Sequence, residues 1–168
     1  MIKKINSIAY FIIAIAVAMG ILLWIAGADK SVIAEQAAGA NASIVAEEPF
    51  FDFGTISMAA GIVTHEFKIK NIGNEDVIIN KMYTSCMCTE ATFIEGDTKV
   101  GPFGMPGHGF LPKIKETIGS KKEATVRVDF DPAAHGPAGI GSVSRMVYLE
   151  QEDVSRPVEL KFKVSVTP

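Results

Sequence analysis

From Val158 to Val166 apolar and polar residues alternate without a break. Val158, Leu160, Phe162, Val164 and Val166 fall on one side, and Glu159, Lys161, Lys163 and Ser165 on the other. Successive side chains of a strand point to opposite faces, so this stretch predicts a strand with one face buried and one in water. Ile62–Asn71 keeps the same beat, with Val63, His65, Phe67 and Ile69 inward, as does Glu123–Asp131, with Ala124, Val126, Val128 and Phe130 inward. Phe50–Ile56, Asp76–Ser85 and Val143–Glu150 follow it less strictly. Asn71-Ile72-Gly73-Asn74 is expected to form a hairpin turn between the second and third strands, because Asn and Gly tolerate positive φ. No stretch after Pro49 has a strong helical period. Six or seven short strands over roughly 120 residues predict an all-β domain at 49–168, an immunoglobulin-like antiparallel β-sandwich of about seven strands.

The alternation does not extend to the first 48 residues. Between Lys4 and Asp29 there is no charged residue, and Ile8–Ala28 is long and apolar. A helix needs roughly 20 such residues to span a hydrocarbon core. Lys3 and Lys4, with no balancing acid, orient it, and Trp24 suits the far interface. The expectation is a membrane anchor over 1–28, single-pass in the cell membrane, with a cytoplasmic N-terminus and an extracytoplasmic body. Ala26-Gly27-Ala28 also fits a signal-peptide cleavage pattern, but the apolar core exceeds the usual h-region of about 7–15 residues, which favours retention. Residues 29–48 are alanine-rich with few large side chains, and are expected to serve as a linker.

Composition changes this picture little. The mean hydropathy of +0.27 has its source in the N-terminal segment. Sixteen basic residues against 19 acidic, net −3, show no clustered basic face and exclude a nucleic-acid surface as an expectation. No Ser-His-acid, paired-carboxylate or phosphate-loop pattern stands out, so no enzyme is expected.

The only two cysteines, Cys86 and Cys88, lie one residue apart in Tyr83-Thr84-Ser85-Cys86-Met87-Cys88-Thr89-Glu90. On the exported side of a membrane, thiols need protection or a purpose. In an extended strand their Cα atoms would lie roughly 6.5–7 Å apart, at the limit for a disulfide, so a bridge needs a sharp turn at Met87. As buried thiols they would act as small hydrophobes. A long loop is expected at 89–122, since Gly101-Pro102-Phe103-Gly104-Met105-Pro106-Gly107-His108 breaks regular structure. Phe103, Met105 and Phe110 are too apolar for a solvated loop and are expected to fold back on the domain. Cys86, Cys88, Met105 and His108 would form a soft donor set suited to Cu(I), and less well to Zn(II). Thiol–disulfide exchange would need a stabilised thiolate, yet no Lys/Arg cluster or helix N-terminus adjoins Cys86 in the sequence. His65 is expected to be a core or edge histidine, and His135 to shape a Pro/Gly-rich turn.

Phe51-Asp52-Phe53-Gly54-Thr55-Ile56, then His65–Asn71 with Gly73, then Ser85-Cys86-Met87-Cys88-Thr89 resemble the ordered motifs of a widespread bacterial family of unknown function. That family is similar to the immunoglobulin-like domains of the major sperm protein, ASH and hydin group. The resemblance covers most of 50–166 and implies a seven-stranded sandwich, often exported, with no established enzymatic activity. Two positions depart from it. Met87 stands where glycine is usual, and Gln151-Glu152-Asp153-Val154 replaces a Ser/Thr-Asn-Asp-Pro turn.

These features lead to a membrane-tethered, extracytoplasmic immunoglobulin-like module that binds a protein or envelope partner and catalyses nothing. Copper handling through Cys86, Cys88, Met105 and His108 is the alternative, and thiol–disulfide exchange at Cys86 and Cys88 the second.

Overall fold

A computed structural model describes residues 44–109, 112–152 and 154–168. The anchor expected at 1–28 and most of the linker lie outside the described residues, as does Phe110. Ten strands are described: β1 (Ile44–Ala46), β2 (Phe50–Ser57), β3 (Val63–Asn71), β4 (Val77–Thr84), β5 (Thr89–Glu95), β6 (Thr98–Phe103), β7 (Glu116–Ile118), β8 (Glu123–Phe130), β9 (Gly141–Gln151) and β10 (Val158–Thr167). They form a sandwich of two five-stranded sheets, ordered β1-β3-β8-β5-β6 and β2-β10-β9-β4-β7. Among the described residues the only helical turns are 3-10, at Met58–Ala60 and Gly136–Gly139, and no helix is long and apolar enough to cross a membrane.

The alternating stretches become the strands they predict. Along β10, Leu160, Phe162, Val164 and Val166 are buried while Glu159, Lys161, Lys163 and Ser165 are exposed. β8 and β3 contribute Val126, Val128, Phe67 and Ile69 to the same core, joined by Phe93 and Phe103. Each such side chain contributes about 1.5–3 kcal/mol by leaving water. Phe51 stacks on His65 at 3.6 Å, and His65 meets the edge of Phe67 at 4.6 Å, so aromatic contacts run from β2 across to β3. His65 is the packed histidine its alternation implies. Its Nε2 lies 3.5 Å from the Glu48 carboxylate, too long for an ordinary hydrogen bond.

Five expectations are corrected. The sandwich has ten described strands rather than about seven, and three of the additions, β1, β6 and β7, are edge strands. Edge strands bury little and carry weak alternation. The sandwich is also not purely antiparallel, because β2 pairs parallel with β10, from Lys161↔Phe50 to Thr167↔Ser57. The chain bends at 47–49 and enters the second sheet without reversing, where Pro49 O accepts from Lys161 N. The domain begins at β1, so residues 44–46 belong to a sheet and not to a linker.

The loop expected at 89–122 instead holds β5, β6 and β7. β5 and β6 form a hairpin around Gly96-Asp97, with Glu95 opposite Thr98 and Gly96 at φ +57°. Glycine first in a two-residue turn is what a type II′ hairpin favours. Gly101 and Pro102 are tolerated because β6 is an edge strand with a register shift opposite Ala91–Phe93. At Gly101 a Cβ would lie 2.9 Å from Ala91 O, so the approach requires glycine.

Asn71-Ile72-Gly73-Asn74 is not a hairpin turn, because β3 and β4 belong to different sheets. Asn71 is fully buried at this crossing. Its Nδ2 donates to Glu75 O (2.8 Å), Ile118 O (3.0 Å) and Gly119 O (3.2 Å), and its Oδ1 accepts from Gly73 N (2.9 Å). One amide thereby satisfies backbone groups that no ladder reaches.

Asn71→Ala removes the side-chain donor from the buried Ile118 O and from Glu75 O, while Gly119 O keeps Lys122 N (3.0 Å), and is expected to lower stability by about 2–4 kcal/mol, read from denaturant unfolding. An unchanged midpoint would show that water replaces the amide. A second expectation concerns pH. Burial lowers the His65 pKa from its ordinary 6.5, with Glu48 opposing. The unfolded chain therefore takes up the proton first as pH falls. The stabilisation from neutral His65 is complete above 6.5 and is lost as pH drops through the lowered folded value. Thermal midpoints between pH 7.5 and 5 should fall more steeply for the wild type than for His65→Phe, and parallel curves would sink this assignment.

Candidate functional site

The chain makes its next crossing between sheets at Ser85–Cys88, from the end of β4 to the start of β5. Thr89 N donates to Cys86 O (3.1 Å), closing a tight turn with Met87 and Cys88 at its centre. The buried Thr84 Oγ1 lies 3.0 Å from both Cys86 O and Thr89 O, and holds the turn from beneath. Ser85 N and Oγ bond to Met146 O and N on β9, each at 2.9 Å. This turn supplies the sharp reversal that an extended strand lacks. The Cα atoms of Cys86 and Cys88 come to 5.3 Å, and the two sulfurs form a disulfide. A bridge therefore replaces the free thiols on a strand face that the period-two reading implied.

Sheet register decides what surrounds the sulfurs. β5 pairs with β8 so that Thr89 faces Phe130, and the ladder runs one step further, with Asp131 N donating to Cys88 O (2.9 Å). The segment after β8 is thus held against the cysteine turn. There Asp131 Oδ1 accepts from Ala133 N (2.8 Å) and Gly136 N donates to Ala133 O (2.9 Å), which folds the chain back at His135. The His135 Nε2 stands 3.1 Å from Cys86 Sγ. A disulfide sulfur can only accept, so Nε2 carries the proton.

β9 pairs with β4 from Ile79↔Gln151 to Thr84↔Val147, which brings Arg145 level with the cysteines. Its Nε donates to Cys88 Sγ (3.2 Å) and its Nη1 to Ser144 O (2.9 Å). Burial lowers the Arg145 pKa from its usual value, so the environment disfavours its charge. The two cysteines are well covered, Cys86 at 8 % and Cys88 at 3 % exposure, while Met87 between them is 51 % exposed and His135 is exposed.

Of the four soft donors expected from the sequence, Cys86 and Cys88 come together. Met105 and His108 lie on a further turn, with His108 N donating to Met105 O (3.1 Å), His108 exposed and Met105 half-buried, and its start is tied to the cysteine crossing where Thr84 N donates to Gly104 O (3.0 Å). Among the described residues the cluster of three metal-capable donors is Cys86, Cys88 and His135, whose ligand atoms all lie within 4.8 Å of one another. The imidazole at the sulfurs therefore belongs to His135. Neither His135 nor Arg145 has a local signal in the sequence, because both arrive through strand register from 47 to 59 residues away.

A family model described as a protein of unknown function (DUF1573) matches residues 44–103, which run from β1 through β6 and include the cysteine turn. Among solved structures, a protein of unknown function from Porphyromonas gingivalis W83 is 14% identical with a TM-score of 0.53, covering 73% of this chain and 46% of that one. The likeness is one of fold, and this chain spans less than half the length of that protein. The YadV chaperone is 10% identical, with a TM-score of 0.49 over 75% of this chain and 53% of its own. The seventh ASH/PapD-like domain of human CEP192 is 14% identical, with a TM-score of 0.41 over 74% of this chain and 84% of its own. No curated protein matches the chain.

The bridge closes a ring around a single intervening residue, Met87. By loop entropy such a ring stabilises by about 1–2 kcal/mol, against about 3 kcal/mol for a fifteen-residue loop. Cys86→Ser/Cys88→Ser is therefore expected to lower the thermal midpoint by only about 3–6 °C. A fall several times larger would mark the bridge as a structural staple.

Proposed function

We propose that the chain is a membrane-tethered, extracytoplasmic immunoglobulin-like module that engages a partner protein and exchanges a disulfide with it through Cys86 and Cys88. One observation carries this reading: each sulfur has its own nitrogen donor, Arg145 Nε at 3.2 Å from Cys88 and His135 Nε2 at 3.1 Å from Cys86. A neutral disulfide gains little from a guanidinium. A thiolate gains a charge-assisted hydrogen bond, and the half-buried Arg145 gains a counter-charge. Both groups thus favour the reduced, ionised form over the bridge. Stabilising that form makes a disulfide more oxidising. A bridge that adds little stability, set between groups that favour its opening, fits a reversible couple better than a staple.

The step follows from the geometry. A thiolate of a partner dithiol attacks the Sγ of Cys86, the more exposed of the two cysteines. The Cys86–Cys88 bond breaks, and its electron pair leaves on Cys88 Sγ as a thiolate against Arg145. The partner's second thiolate then attacks its own sulfur in the mixed disulfide, which closes the partner's bridge and releases Cys86 as a thiolate beside His135. Two electrons pass from the partner to this pair. The two protons of the partner's thiols go to solvent or to the new thiols. The lack of a basic neighbour in the sequence, which weighed against exchange, is answered by Arg145 from β9. The segment 1–28 and the linker after it would hold the module at the membrane and give it reach. Interaction with a partner remains central, since exchange needs a docked dithiol.

The test is the reduction potential of the full-length protein in detergent, from thiol alkylation after equilibration in glutathione buffers. A midpoint above about −250 mV is expected, well clear of the values below about −300 mV usual for structural bridges. Arg145→Gln should lower it by about 30 mV, equivalent to about 1.4 kcal/mol. A bridge that resists reduction to about −300 mV, or a midpoint indifferent to Arg145, would rule the exchange reading out.

A further inference from the structure

We propose that the opened pair, with His135 as third donor, binds one Cu(I) ion, so that copper loading and disulfide formation exclude each other. This rests on the reading above that the bridge opens.

The donors are already gathered. The Sγ atoms of Cys86 and Cys88 and a ring nitrogen of His135 lie within 4.8 Å of one another. Bonds of about 2.0–2.3 Å to one ion place trigonal donors roughly 3.5–4 Å apart, so the sulfurs need only separate on reduction while His135 Nε2, now 3.1 Å from Cys86, yields slightly. Rotation about the two Cα–Cβ bonds supplies that change without moving the turn, which Thr84, Ser85 and Asp131 hold through backbone bonds.

Charge selects the ion. Two thiolates carry −2 and Arg145, bonded to Cys88, carries +1. A monovalent cation brings the site to neutrality, whereas a divalent cation would leave a net +1 on a site whose cysteines are 8 % and 3 % exposed. Burying uncompensated charge is costly. Ligand number agrees, because no fourth His, Cys, Asp or Glu joins the cluster among the described residues. Zn(II) in closed sites takes four donors, while thiolate-rich sites select Cu(I). Binding releases the thiol protons and moves the imidazole proton from Nε2 to Nδ1, freeing the Nε2 lone pair for the ion; the bound ion occupies both sulfurs, so no S–S bond can form until it leaves.

The full-length protein in detergent is reduced, freed of reductant without oxygen, and titrated with Cu(I) against a chromophoric Cu(I) chelator. Alkylation of a parallel sample first reports whether the bridge has opened. One ion per chain is expected for the reduced protein and none for the oxidised protein. Cys86→Ser/Cys88→Ser should abolish uptake, and His135→Gln should weaken it at least tenfold. His108→Gln and Met105→Leu should bind as the wild type does, and Zn(II) should compete only in large excess. X-ray absorption of the loaded protein should show two sulfur neighbours and one nitrogen. If the pair is reduced but takes up no copper, the metal site is wrong and the exchange reading stands. If the bridge cannot be opened, both fall. Loss on His108→Gln with His135→Gln unchanged would place the site on the other loop and overturn this ligand set.

Discussion

Packing two sheets face to face imposes a constraint that organises the whole domain: the chain must leave one ladder and enter the other, and at each crossing its backbone groups lose their regular partners. The core provides the drive, with Phe67, Phe93, Phe103 and Phe162 fully buried between the sheets. The crossings are where polar chemistry is needed inside. Asn71 serves the passage from β3 to β4, and Thr84 the passage from β4 to β5. Both are almost completely buried, and both spend their hydrogen bonds on local backbone.

The cysteines sit on the second of these crossings, which explains why a motif one residue apart can bridge at all. An extended segment would hold the Cα atoms too far apart; the turn brings them to 5.3 Å. The crossing also lies at the end of both sheets. β5–β8 pairing delivers His135 from one sheet, and β4–β9 pairing delivers Arg145 from the other. The site is therefore assembled from both layers of the sandwich, and each sulfur is served by a different one. A loop projecting from a single sheet could not place two nitrogen donors in this way.

The same placement links the two chemistries proposed for the pair. A guanidinium beside Cys88 favours thiolate over disulfide and, once two thiolates are present, favours a monovalent ion over a divalent one. Oxidation and copper binding then compete for the same electron pairs on sulfur. The modest loop entropy of the bridge leaves that competition to be settled by the neighbours rather than by the fold.

How much of this could be read from the chain follows the range of the forces involved. Alternation is local: Val158–Val166, Glu123–Phe130 and Val63–Asn71 announce β10, β8 and β3 because each side chain's face is set by its own position in the strand. The β5–β6 hairpin escaped that reading, because Gly101 and Pro102 make 89–122 read as a loop and only a bulged edge strand admits them. Sheet membership was not legible, which is why Asn71-Ile72-Gly73-Asn74 passed for a hairpin. Local patterning is enough to specify an all-β domain and a cysteine pair fit for soft or redox chemistry. The folded sandwich adds that β2 runs parallel to β10, that the pair is bridged, and that its partners are His135 and Arg145. Register between strands far apart in the chain sets those contacts, and register is fixed by the packing of the whole core rather than by any local pattern.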